Sequence, residues 1–307
     1  MDASVLSEAI AQLVRWSGLA WIVRNTVARH RVSILLYHDP DPQVLEGHLA
    51  YLAKRYHFID MDRLVTCLES RAWDDLPSRS LVITLDDGRK RQFELTETFR
   101  QHGVVPTMYV CTQVVGTNRH FWFMDVSRAA APRELPRAEL LTRVEALGFE
   151  QDREYPDAER QALSRQELAA MCDGVDFQSH TRYHPMLTTC GTEECMEEIA
   201  GSRTDIAEIT GTAARHLAYP NGDYSIREIR AARDAGYRSA RTIDLGWVGP
   251  DTDPFRLPII GLSRDNASIA RLAADLSGIT SYIACLRKGR PLGRRRPAVV
   301  HGEDVAP

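Results

Sequence analysis

The sequence predicts an α/β protein built on a parallel sheet or barrel. From Val32 onward, short apolar, β-branched runs alternate with longer stretches of helical periodicity, the pattern of repeated strand–helix units. His38, Asp86, Asp87, His180 and Tyr219 all fall where a strand pattern ends, which is where such sheets gather their chemistry. The chain has 307 residues, 44% of them hydrophobic, a length that α/β barrels reach as one domain.

Residues 1–31 are expected to form an amphipathic amino-terminal helix. Leu6, Ile10, Leu13, Val14 and Ile22 recur at helical spacing between Ser7, Glu8, Gln12, Arg15 and Arg24. No basic stretch precedes an uninterrupted apolar core and no small-residue cleavage site follows, so the segment does not read as a signal peptide or a span. Trp16 and Trp21 with Arg15, Arg24, Arg29 and Arg31 suit peripheral membrane contact through residues 5–27; packing on the body of the protein or on a second copy is the other reading.

Val32 to Tyr37 is expected to be a strand, Val44 to Tyr56 a helix, Leu64 to Ser70 a second short helix and Leu81 to Gly88 the central strand. Phe93 to His102 reads as a helix stopped by Gly103, and Thr107 to Val110 as the next strand. The alternation then breaks between Asn118 and Ser164, where HFWFMD, three prolines and one helical piece (Ala138 to Leu147) suggest an insertion covering the mouth of a site. Phe121, Trp122 and Phe123 equally suit core packing. Beyond it come a short strand at Phe177, a helix from Thr192 to Thr210, a strand from His216 to Tyr219, a helix from Ser225 to Ala235, a strand from Tyr237 to Thr242 and a closing helix from Ala267 to Cys285. Residues 287–307 are basic, Pro- and Gly-rich and aperiodic, as expected of a disordered tail.

A net charge of -4, from 38 Lys and Arg against 42 Asp and Glu, offers no electrostatic case for nucleic acid. The six cysteines form no CxxC pair and no framework, which fits reduced thiols and a cytoplasmic setting.

The chemistry starts at LVITLDDG, residues 81–88, where a buried strand runs into two adjacent carboxylates and a glycine. Neighbouring side chains on an extended chain point opposite ways, so Asp86 and Asp87 serve one site in different roles only if the chain turns there. Partners are offered by FQSHTRYHP, residues 177–185, in which His180 and His184 leave a strand for a turn; two imidazoles and one carboxylate leave room on a metal for water and substrate.

LVITLDDG, then SHTRYHP, then AYPNG at Ala218 to Gly222, in that order, resemble the motifs of the polysaccharide deacetylases, carbohydrate esterase family 4, over roughly Ile34 to Leu262. The resemblance implies a distorted (β/α) barrel over residues 32–286, with Asp87, His180 and His184 holding one divalent ion, zinc first, with iron, cobalt or nickel as alternatives. It implies Asp86 as the general base acting on the attacking water, the Tyr219 N–H beside Pro220 as oxyanion donor, and an N-acylated amino sugar as substrate. The late histidine that serves much of the family as acid is missing apart from the doubtful His301. LLYHDP instead resembles a branch in which an early tyrosine–histidine pair supplies that acid, which makes His38 the candidate.

Two departures from the pattern stand out. Ala218 occupies the place of an arginine that orients the base in many members, leaving open what steadies Asp86. Arg89, Lys90 and Arg91 follow the turn and read either as a draw for an anionic substrate or as a solvated basic turn. Hydrolysis of non-sugar amides such as cyclic ureides, or a metal-free carbohydrate-binding relic, are the competing functional readings.

Overall fold

A computed structural model of the chain describes residues 3–127, 130–261, 265–280 and 282; the basic tail from 287, with His301, lies outside the described residues. Eight strands, β1 (Ser33–Tyr37), β2 (His57–Phe58), β3 (Ser80–Asp87), β4 (Thr107–Val110), β5 (Asp176–Ser179), β6 (His216–Ala218), β7 (Ser239–Leu245) and β8 (Leu257–Gly261), pair in parallel throughout. The order β1-β8-β7-β6-β5-β4-β3 closes through a β1–β3 ladder into a seven-stranded barrel. The two-residue β2 pairs with the start of β3, on the edge that β4 occupies further along, and stands outside the ring. Closure leaves β3 buried at all eight positions, which is why it is nearly continuous in apolar residues and does not alternate.

The connecting helices are α1 (Ala3–Trp16), α2 (Leu19–Asn25), α3 (Pro42–Ala53), α4 (Met61–Ser70), α5 (Thr96–Gln101), α6 (Trp122–Asp125), α7 (Arg137–Ala146), α8 (Arg165–Met171), α9 (Thr192–Thr210), α10 (Ile226–Asp234) and α11 (Ile269–Leu276). Their starts are written locally. Asp41 caps α3 with Pro42 in the first turn, and Ser164 with Glu167 and Ser225 with Glu228 form capping boxes for α8 and α10.

Ile34, Leu36, Val82, Tyr109, Ala218, Leu257 and Ile259 fill one cluster with Met61, Leu64 and Val65 of α4. Their strand partners Leu35, Ile83, Leu85, Met108, Val110 and Leu217 face the larger core shared with the outer helices.

Several expectations need correcting. The single amino-terminal helix is two, broken at Gly18 with φ +81°. The Phe93–His102 helix is a 3-10 segment, Lys90–Leu95, followed by the short α5. β2, β8 and α8 were not foreseen: each is too short to show a period, and β8 carries Pro258 among its five residues.

Gly88 sits at φ +82°, and a Cβ there would lie 2.5 Å from Val115 Cγ1 and 3.0 Å from Val110 Cγ1. The turn after Asp87 therefore packs directly on the β4 exit, and no side chain fits between. Gly88→Ala should lower stability by about 2 kcal/mol or more, from left-handed strain together with overpacking, read as a shifted urea midpoint; an unchanged midpoint would mean the turn relaxes freely.

Candidate active site

Register assembles the site. Tyr37 pairs with Leu85, which brings His38 beside Asp86; Asp87 pairs with Val110, Val110 with Ser179, and Ala218 with Arg241. Parallel strands end on one face, so residues from β1, β3, β5 and β7 meet in a ring at their carboxyl ends.

The expected turn after Asp86 is real. Asp87 adopts φ +78°, and Thr181 and His184 in the second turn adopt φ +65° and +58°. Side chains seldom occupy this region, and such conformations persist where surrounding contacts over-determine them. Those contacts are visible: Glu198, buried on α9, accepts the N–H groups of Arg182 (2.8 Å) and Tyr183 (3.0 Å), and Trp122 Nε1 donates to the His184 carbonyl (3.2 Å).

Asp87, His180 and His184, all buried, place one ligand atom each within 4.8 Å of the others. Asp87 Oδ1 lies 3.8 Å from His180 Nε2 and 3.7 Å from His184 Nε2. These gaps are too long for hydrogen bonds and close to the separation of about 3.4 Å that two ligands at ~2.1 Å take around a tetrahedral ion. The other Asp87 oxygen, Oδ2, accepts from Arg89 Nε (2.9 Å) and Nη2 (2.7 Å). His180 Nδ1 donates to the carbonyl of Ala218 (2.8 Å), which leaves the lone pair on Nε2, the nitrogen facing Asp87.

Electrostatics agree. Burial, then repulsion from His180, holds His184 well below the ordinary imidazole value, so it stays neutral and able to ligate. Burial works to raise Asp87, but the groups that face it, the His184 imidazole and the Arg89 guanidinium foremost, bring it down to about 2. The residues present therefore fit a divalent cation.

Asp86 is turned from the triad toward the barrel interior, with Oδ2 3.7 Å from His180 Nε2. Arg241, fully buried on β7, donates through Nη2 to Asp86 Oδ1 (2.6 Å) and Oδ2 (2.5 Å), and through Nη1 to the Thr242 carbonyl (3.3 Å). Sequence reasoning missed Arg241. The signal was a lone cation inside an otherwise buried strand pattern, which has to find an anion.

His38 is half-buried on the β1 exit and close enough to Asp87 to help lower its carboxyl. Two anchors hold it. The His38 and Asp39 N–H groups donate to Asp265 Oδ1 (3.0 Å) and Oδ2 (3.1 Å), with Asp41 N–H on Asn266 Oδ1 (2.8 Å). Gln92, fully buried, donates to the carbonyls of both His38 and Asp86, tying the two catalytic candidates backbone to backbone.

The Tyr219 N–H, expected as an oxyanion donor, already has a backbone partner in this structure. It donates to the Arg241 carbonyl (3.1 Å) as the last rung of the β6–β7 ladder, and Pro220 carries no N–H. Tyr219 is structural: its hydroxyl donates to the Phe255 carbonyl (3.3 Å) and its ring stacks on Tyr224. Of the three cations after the turn, Arg89 is engaged by Asp87 and Arg91 by Asp39 (3.3 Å), while Lys90 is exposed.

Residues 118–127 and 130–164 wall the site. Phe123 lies 4.5 Å, ring to ring, from His184, whereas Phe121 and Trp122 are buried. Arg133 Nη1 donates to Asn221 Oδ1 (2.6 Å) beside the AYPNG turn, and Lys90 and Leu163 N–H groups bond to Gln161 and Gly88 carbonyls, lacing this segment to the catalytic turn.

The profile of the polysaccharide deacetylase family matches residues 74–240, more than half of the chain. The sequence matches no curated protein. The fold is similar to that of the Streptococcus pyogenes deacetylase PplD in complex with acetate, at 16% identity and TM-score 0.60, covering 80% of this chain and 98% of that one. It is also similar to IcaB from Ammonifex degensii, at 16% and 0.61, covering 80% and 97%, and to a polysaccharide deacetylase from Bacillus cereus, at 18% and 0.58, covering 80% and 69%.

Two measurements check this site. Arg241→Met strands a buried carboxylate and should cost about 3–5 kcal/mol in urea unfolding, much of it recovered by the double change Arg241→Met, Asp86→Leu; equal costs for single and double variants would mean the ion pair is not what matters. His184 is neutral when folded but titrates near pH 6.5 when unfolded, so its contribution is present above that pH and lost as pH falls. The stability of the metal-free protein should drop between about pH 7.5 and about pH 5.5, less steeply in His184→Asn; an identical slope would exclude His184 as its source.

Proposed function

The chain belongs to the polysaccharide deacetylase family, and from that premise we propose that it is a metal-dependent hydrolase that removes an N-acyl group, N-acetyl first, from an amino-sugar unit of a carbohydrate. The observation that carries this reading is the placement of Asp86: paired with Arg241, it lies 3.7 Å from the His180 nitrogen that completes the Asp87–His180–His184 set.

In this reading Asp86 takes the proton of the attacking water while Arg241 holds its orientation and balances its charge. The water oxygen bonds to the acyl carbon, the carbon–nitrogen bond breaks, and His38 gives the departing amine its proton. Asp87, His180 and His184 would hold a divalent ion, which would supply Lewis acidity to the water and the acyl carbonyl; zinc, iron, cobalt and nickel all suit two imidazoles and a carboxylate, zinc being our choice. Phe123 covers His184 and limits water at the mouth. The β1–β3 register that sets His38 beside Asp86 supports assignment to the branch with an early tyrosine–histidine acid and an AYPxG turn.

The test is release of acetate or formate by the metal-loaded protein from polymeric, lipid-linked and free N-acyl amino sugars. Release from none of them, with ring-opened acid from cyclic ureides, would overturn it. His38→Ala should lower kcat on an amide by about 10² to 10⁴ at unchanged metal content, and far less on an aryl ester whose leaving group needs no proton; equal losses on both would remove His38 from the acid role.

A further inference from the structure

We propose that α1 and α2 form a surface anchor that seats the amino-terminal end of the barrel on an anionic lipid bilayer, with the catalytic end turned away from it. The inference goes beyond the proposed reaction; binding to the bilayer does not rest on it, and only the turnover test of orientation does.

The two helices have one partnered side. Ala11, Val14 and Ala20 pack on Ala270, Ala273 and Ala274 of α11. The other side exposes Leu13 (68%), Trp16 (76%), Leu19 (45%), Trp21 (61%), Ile22 (47%) and, just after α2, Val27 (60%). Scattered apolar residues are ordinary on a surface; six large ones within fifteen residues, two of them tryptophan, are a patch.

Charge selects the occupant. Residues 9–38 contain four arginines and no Asp or Glu, although the chain has 42 acids in all. Arg29 and Arg31 are exposed at the end of the patch and Arg15 is half-exposed within it; Arg24 is buried over the Tyr56 ring and adds nothing at the surface. The acidic Asp74 and Asp75 mark the margin, just past Trp73, whose indole N–H donates to the His30 carbonyl. Tryptophan and leucine beside arginine is the composition that lies in a headgroup region, and an apolar face with a basic segment supplies the two signals that stable peripheral binding needs. No helix among the described residues is long and apolar enough to cross a membrane.

The orientation comes from the barrel. Arg79, the residue before β3, donates its N–H to the Arg29 carbonyl (2.7 Å) and through Nη1 to Asn25 Oδ1 (3.4 Å). The α2–β1 connection therefore lies at the amino ends of the strands, opposite the carboxyl ends that carry His38, Asp86 and the histidine pair. Seated this way, the enzyme reaches substrate that extends from the surface into solvent.

The experiment is co-sedimentation of the full chain with phosphatidylcholine vesicles, with and without about a third phosphatidylglycerol. Binding is expected only to the anionic vesicles. Arg29→Gln with Arg31→Gln should weaken it on the order of tenfold, and Trp16→Ser with Trp21→Ser by about tenfold or more, both with unchanged melting temperature. Equal binding to neutral vesicles, or undiminished binding of the tryptophan variant, overturns the proposal. So does a wild-type dimer that the tryptophan variant dissolves in sedimentation equilibrium, which would give the face to a second copy. Turnover of a soluble substrate at the same rate on vesicles and off supports the orientation, and loss of turnover on binding overturns it.

Discussion

A buried arginine opposite a buried aspartate constrains the molecule more than any other contact. Arg241 on β7 and Asp86 on β3 are far apart in sequence and sit on strands separated around the ring by two others on one side, β8 and β1, and three on the other. Taking both charges out of water costs several kcal/mol each, and only close, well-aimed contact offsets that. The pair is therefore satisfied only when the barrel is closed in its native register, and a one-residue slip on either strand would send one charge into the outer hydrophobic layer. An ion pair of this kind adds little net stability. It makes wrong registers expensive and holds a carboxylate in one orientation beside the histidine pair.

The same economy runs through the ligand set. Asp87 divides its two oxygens between Arg89 and the imidazoles, and His180 divides its two nitrogens between the Ala218 carbonyl and the site. Each of these residues thus faces the candidate metal centre with one donor atom chosen in advance. Left-handed backbone at Asp87, Thr181 and His184 is the cost of turning three side chains inward from strands that have just ended. Glu198, Gln92 and Trp122 absorb it by capturing the backbone groups that these turns expose. Burial pushes the Glu198 carboxyl up while two N–H donors oppose that shift, so it serves its loop as an acceptor.

The 118–164 segment and the Asp265–Asn266 pair act on the two sides of this centre. One closes it with Phe123 over His184; the other clamps the loop that carries His38. Residues distant in sequence thereby set the positions of the groups assigned as acid and as ligand.

The sequence by itself determined the class of fold, because strand-then-helix periodicity from Val32 is a local property, and it singled out Asp86, Asp87, His180 and His184 as candidates, because those residues stand at strand ends in short contiguous motifs. It also showed the helical character of the amino terminus and its tryptophans and arginines. The partner of Asp86 could not be read, since Arg241 becomes its neighbour only through β6 and β7 pairing, and Ala218 marks only the place where a nearer arginine is missing. Nor could the commitment of the Tyr219 N–H be read: a backbone amide looks alike in any sequence, and only strand pairing decides whether it faces a substrate or a neighbouring carbonyl. Asp265 and Asn266 follow β8, and closure of β8 onto β1 brings them onto the loop that carries His38. Periodicity and motif spacing are carried within a few residues of chain, whereas second partners, register and the sidedness of the amino-terminal helices are set by contacts that form only when the barrel closes.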